Sequence, residues 1–156
     1  MEGIKRILVV CRSTKHCDIA VLYGIDLAKQ WGAKLYAVHV LDDPFGLDAW
    51  SLPVVSWKEI QEEYKHMQSE ARADLDQIIE EEKSKGLPIE VSVEDGDADE
   101  KILDFVKENK IDLLVMLAHE EGRLEHLLFG RSIDKIVRKL PCSVLLVKQE
   151  PGPADE

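Results

Sequence analysis

The chain reads as an α/β protein in which five parallel strands form an open sheet with helices on both faces. Two observations predict this. Short β-branched apolar runs alternate with stretches of helical periodicity along the whole length. The first of these runs, "IKRILVVC", is also short, β-branched and apolar, which suits a strand covered on both sides. Right-handed crossovers between successive strands then give three layers: helix, sheet, helix.

"IKRILVVC" (Ile4–Cys11) is predicted as the first strand. A helix follows over "STKHCDIAVLYGIDLAKQWGA", with Ser13 or Thr14 as its cap and Gly32 as its stop. Its expected buried stripe is Ile19, Leu22, Tyr23, Asp26 and Leu27, with Asp26 the polar blemish. "KLYAVHVL" (Lys34–Leu41) is the second strand, and "DDPFGLDAWSLPVVS" a long loop rich in proline and without periodicity. A helix from about Trp57 to Lys85 should bury Trp57, Ile60, Tyr64, Met67, Ala71, Leu75 and Ile78 along one stripe. "LPIEVSVEDG" is a third strand, "DADEKILDFVKENK" a third helix, and "IDLLVMLA" a fourth strand. "RSIDKIVRKL" and "PCSVLLVK" complete the series as a helix and the fifth strand. Residues 1–148 are expected to form a single domain, and the tail "QEPGPADE" (149–156) to be flexible.

Composition narrows the function. A formal net charge of −11 argues against nucleic acid and anionic membranes as partners, since both repel an acidic protein. No apolar run approaches the ~20 residues a bilayer demands. "MEGIKRILVVC" lacks the order of a signal peptide. Cys11, Cys17 and Cys142 are odd in number and have no CxxC spacing, so neither a disulfide framework nor structural zinc is expected. A reducing cytoplasm fits best.

In open parallel sheets ligands bind beyond the carboxyl ends of the strands, where the strand order reverses. With strands one and four as central neighbours, that crevice is lined by Cys11–Lys15, Val40–Asp42 and Leu117–Ser132. The last segment has the layout of a phosphate-binding turn, yet it carries Glu120 and Glu121 where a cradle needs glycine.

Three stretches resemble the universal stress protein family: "KRILVVCRSTKHCDIAVLYGIDLAKQWGAKLYAVHVLD", "VEDGDADEKILDFVKENKIDLLVM" and "GRLEHLLFGRSIDKIVRKLPCSVLLVK". The third is the most specific, because the interval before Gly130 has the family length. The resemblance implies the adenine-nucleotide-hydrolase-like fold with strand order 3-2-1-4-5. It also implies a homodimer paired through the last strand, here over Ser143, Val144, Leu145, Leu146 and Val147. ATP-binding members carry an Asp after the first strand, and a Gly-x-x-Gly, nine residues, then Gly-Ser/Thr after the fourth. Here the Asp falls on Arg12, the paired glycines on Leu117 and Glu120, and the Ser/Thr on Arg131, while Gly130 is kept. Val40 and Met116 match the apolar positions bordering adenine, and His119 is also compatible with the family.

Leu117 puts a bulky side chain where the backbone would meet phosphate. Glu120 would set a carboxylate against it, and two like charges ~4 Å apart cost several kcal/mol at an effective dielectric near 20. That rivals the roughly 8 kcal/mol of a micromolar ligand. Arg12 faces the loop that carries Glu120, so the foremost expectation is a crevice occupied by its own Arg12–Glu120 bridge. No cofactor is then required, and the chain acts as a non-enzymatic stress-response module through unidentified protein partners. The alternative is a switch that binds ATP, AMP or phosphate through Arg12, Ser13, Gly130, Arg131 and Ser132, with Lys15 assisting. An ATP hydrolase is the least supported, for want of glycines and a catalytic base.

Other residues read more simply. His16, Cys17, Cys11, His119, Glu120 and His126 have no recognised metal-ligand spacing. His39 reads as a core histidine, and Phe45, Trp50 and Trp57 as a small core pinning the long loop before a lid. Asp97, Asp99 and Glu100 suit the start of a helix.

Overall fold

The computed structural model describes residues 3–11, 17–42, 57–118 and 134–148. Five strands and three complete helices follow the predicted order: β1 (Arg6–Cys11), α1 (Cys17–Trp31), β2 (Lys34–Asp42), α2 (Trp57–Ser84), β3 (Ile89–Gly96), α3 (Ala98–Glu108), β4 (Leu113–Ala118) and β5 (Ser143–Lys148). A further helical segment spans residues 134–139. All four strand pairs are parallel, and the sheet order is β3-β2-β1-β4-β5. The expected α/β class and strand order are the observed ones.

Register is set at the amino ends of the strands. The Asp112 carboxylate accepts the backbone N–H groups of both Lys5 and Arg6 at 2.9 Å, while the Asp112 N–H donates to the Arg6 carbonyl at 2.9 Å. On the other side Lys34 N–H donates to the Lys5 carbonyl at 2.9 Å. These bonds place Arg6 opposite Lys34, and Ile7 opposite both Leu35 and Leu113. A slip of one residue would turn every side chain of β1 to the wrong face.

Two apolar layers result. Ile7, Val9 and Cys11 face α1 and α2, with Val21, Ile25, Leu35 and Ile79 around them. Leu8 and Val10 face the other way, onto Ile102 and Val106 of α3 and onto Ile136. Because β1 is covered on both sides, Ile7, Leu8 and Val9 are fully buried, each contributing about 1.5–3 kcal/mol.

The buried face of α1 differs from the expected one. Leu22 and Tyr23 are about half exposed and Asp26 is exposed, while Ala20, Val21, Gly24, Ile25 and Ala28 are buried. The reason is closeness. A Cβ on Gly24 would lie 2.2 Å from Cγ2 of Val9, so the helix rests its small residues on the sheet and turns its bulky ones away. Among the described side chains of α2, Ile79 is fully buried and Ile78 only partly so. The other side chains expected on the α2 stripe, and the cluster of Phe45, Trp50 and Trp57, lie outside the described residues.

The helix ends follow known chemistry. Asp97 caps α3 by accepting the Asp99 N–H at 3.1 Å, and Asp99 and Glu100 occupy its first acidic turn as expected. Gly32 ends α1 in the left-handed region (φ 62°), and the Ala33 N–H returns to the Ala28 carbonyl at 2.9 Å. Among the described residues no helix is long and apolar enough to cross a membrane.

Candidate functional site

The chain runs outward from β1 through β2 to β3, then returns to the other side of β1 as β4 and β5. The order therefore reverses between β1 and β4. Their carboxyl ends, Cys11 and Ala118, mark the crevice where such a sheet receives a ligand.

Of the residues expected there, Val40 and Met116 are described. Met116 stands opposite Val10 of β1, which in turn stands opposite Val38 of β2. Val40 lies two residues beyond Val38 on the same face. Both side chains are buried, at 0% and 3% exposure, in the layer that contains Ile136. Both belong to the apolar layer between the sheet and α3. Leu117, the next residue of β4, points to the opposite face. It is half-buried and packs against the layer that holds Val9, Cys11 and Val115.

Arg12, Ser13, His119, Glu120, Gly130, Arg131 and Ser132 lie outside the described residues, and with them the Arg12–Glu120 bridge and the phosphate turn. Cys11 is buried and disulfide-bonded. An odd count without CxxC argues against a framework of bonds, not against one bond. His39 is 2% exposed on β2 and is engaged by a partner, as expected for a core histidine.

At the far side of the sheet β5 pairs with β4 and forms an edge. Of its residues Val147 is buried, Val144 and Leu145 are half-buried, and Ser143 and Leu146 are exposed, Leu146 by 42%. An edge strand that shows a large aliphatic side chain and free backbone groups is a template for pairing. Cys142, just before it, is a free thiol pushed up by burial; its S–H donates to the Ser143 carbonyl at 3.4 Å.

One contact was not foreseen. The Lys135 ammonium lies 3.5 Å from the Asp99 carboxylate, tying the helical segment that follows the crevice loop to the start of α3. Asp99 is 8% exposed. A carboxylate at a helix start announces a cap, and only the fold announces its second partner.

The strand order and its reversal between β1 and β4 define a doubly wound α/β protein. The universal stress protein family model matches residues 3–148, and the chain belongs to that family. A universal stress protein of Methanocaldococcus jannaschii is 32% identical over 132 residues, covering 83% of this chain and 74% of that one. Among solved structures, the universal stress protein UspA from Lactobacillus plantarum superposes with a TM-score of 0.72 at 20% identity, over 94% of this chain and 99% of that one. A universal stress protein in complex with cAMP gives a TM-score of 0.62 at 19% identity, over 94% and 98%.

Proposed function

We propose that this chain is a non-enzymatic regulatory member of its family, acting in the cytoplasm as a homodimer through protein contacts and not binding ATP in the family manner. The observation that carries this reading is Leu117. It stands where ATP-binding members have the first glycine of the phosphate turn, and its side chain is packed into the layer beside Cys11. A glycine there leaves room for backbone to approach a phosphate; a leucine anchored in the core does not. Glu120, at the second glycine position, adds a carboxylate that repels a triphosphate. Arg12 is the residue that would neutralise it and close the crevice without a ligand.

Homodimerisation is assigned to β5, whose outer edge is unpaired among the described residues and whose exposed Leu146 supports it. A second reading is favoured by the apolar character of Val40 and Met116 and by the cAMP held by a relative of the same fold. In it, the crevice keeps an adenine slot and serves as a nucleotide- or anion-binding switch through Arg12, Gly130, Arg131 and Ser132.

Isothermal titration of the full chain with ATP and AMP, with and without magnesium, separates the two. The first reading expects no heat and no shift in melting temperature. Saturable micromolar binding that Arg131→Ala abolishes would establish the switch instead.

A further inference from the structure

At the opposite end of the sheet from the crevice, α3 and residues 139–141 enclose an open groove of about 530 Å³. Its floor is apolar: Val106 and Ile111 are buried, Leu103 is half-buried, and Pro141 closes one side. Its rim is basic. Lys107, Lys110 and Lys139 line it, all exposed, with Asp104 the one acidic lining residue. Among the described residues none of the three ammonium groups has an ion-pair partner. The Arg6 guanidinium stands beside them, donating through Nε to the Lys110 carbonyl at 3.1 Å.

In a chain of net charge −11, three lysines around one apolar groove are a local reversal of sign. Lys107 and Lys139 stand in last helical turns, where a cation offsets the helix dipole. That accounts for their charge, but not for the floor between them or for Lys110.

The helix ends separate Lys110 from its counterparts. At α1 and α2 the chain leaves the helix through a glycine in the left-handed region, Gly32 (φ 62°) and Gly86 (φ 94°). After each, the next N–H returns to the carbonyl five residues earlier: Ala33 to Ala28, and Leu87 to Glu82. The end of α3 has the same bonds, Ile111 N–H to the Val106 carbonyl and Lys110 N–H to the Lys107 carbonyl, yet the left-handed residue is Lys110 (φ 51°). Leu140, adjoining the groove at its other end, is the second left-handed residue that is not glycine (φ 38°), and it is 61% exposed. These two are the whole set among the described residues, and both stand at this groove. Each holds a side chain in a conformation that glycine would adopt at lower cost. One side chain is a cation and the other a large aliphatic group.

We propose that this groove docks a short acidic segment of a partner protein, with an aliphatic side chain of that segment seated on Leu103, Val106, Ile111 and Pro141. Its carboxylates are held by Lys107, Lys110 and Lys139. The rim is exposed, so the attraction is screened by salt and the complex is a transient one. Elsewhere the acidic surface repels the same partner, which confines docking to the groove. The inference is independent of whether the crevice takes a nucleotide.

The test is fluorescence anisotropy of the full chain with the labelled peptide Glu-Asp-Leu-Asp-Glu-Leu-Glu-Glu. A control peptide has serine in place of both leucines. The expected result is saturable binding that weakens ~10-fold or more between low salt and ~0.5 M salt. It should weaken comparably for the control peptide and for the combined variant Lys107→Glu, Lys110→Glu, Lys139→Glu. Lys65→Glu, on α2 and away from both the groove and β5, should leave it unchanged. No saturable binding, or equal loss in the Lys65 variant, overturns the proposal. If the combined variant folds normally by circular dichroism but alters only the monomer–dimer equilibrium in sedimentation, the occupant is a second copy and the proposal also falls.

Discussion

Lys135 reaches the Asp99 carboxylate at 3.5 Å and so joins the segment after the crevice loop to the first turn of α3. Asp99 is nearly buried, whereas the Lys135 side chain is half exposed. The pair is unequal. Removing the lysine leaves a carboxylate with little water, and removing the carboxylate frees an ammonium that water readily takes. Lys135→Ala is expected to destabilise by about 1 kcal/mol, and the coupling in a double-mutant cycle with Asp99→Asn to stay near or below that. Urea unfolding of the four proteins gives the answer, and a coupling indistinguishable from zero would remove the pair as a link between the two elements.

Gly24 offers a sharper test of packing. Alanine is the better helix former by about 1 kcal/mol, so a free-standing helix would gain from Gly24→Ala. Here the new Cβ meets Val9 Cγ2 at 2.2 Å, and overpacking costs about 1–3 kcal/mol. Net destabilisation is expected, with partial recovery when Val9→Ala is added. A stabilised single variant would mean that α1 stands further from the sheet.

Stability should depend on pH through Glu82. Lys29 Nζ lies 2.6 Å from its carboxylate and holds the carboxyl below the ordinary 4.5, outweighing the burial that pushes it up. The unfolded chain therefore takes the proton first on acidification. The contribution is fully present above about pH 4.5 and is lost as pH falls through the lower folded value. Glu82→Gln should be less stable than the parent at pH 7, and the gap should narrow towards pH 3. A gap that is constant with pH would show that Glu82 acts by shape alone.

The β5 edge predicts an oligomer. If Leu146 is covered by a second copy, Leu146→Lys places two ammonium groups at the interface. The parent should sediment as a dimer at micromolar concentration and the variant as a monomer with an unchanged circular dichroism spectrum. A monomeric parent would end the assignment of β5 to pairing.

The fold was legible because its signals are local and redundant. Short apolar, β-branched runs marked the strands, and Asp97 and Gly32 marked helix limits within one or two residues. Strand order came from the family resemblance and not from periodicity, since no local pattern says whether β4 lies beside β1 or beside β3. The site was legible only in part. Val40 and Met116 are buried in the layer between the sheet and α3, while Arg12, Glu120 and Arg131 lie outside the described residues.

By itself the sequence determined the alternation of strands and helices and, through it, a sheet covered on both faces, because each element is written in consecutive residues. The tertiary structure decided which face of α1 is buried, since that depends on how closely Gly24 approaches Val9, a residue fifteen positions earlier across the helix–sheet contact. It also decided the Asp99–Lys135 link and the lysine-rimmed groove, whose sides come from separate stretches of chain. Helical and strand periods constrain neighbours along the chain. Contacts between distant segments form only when burial of the shared core brings their side chains within reach.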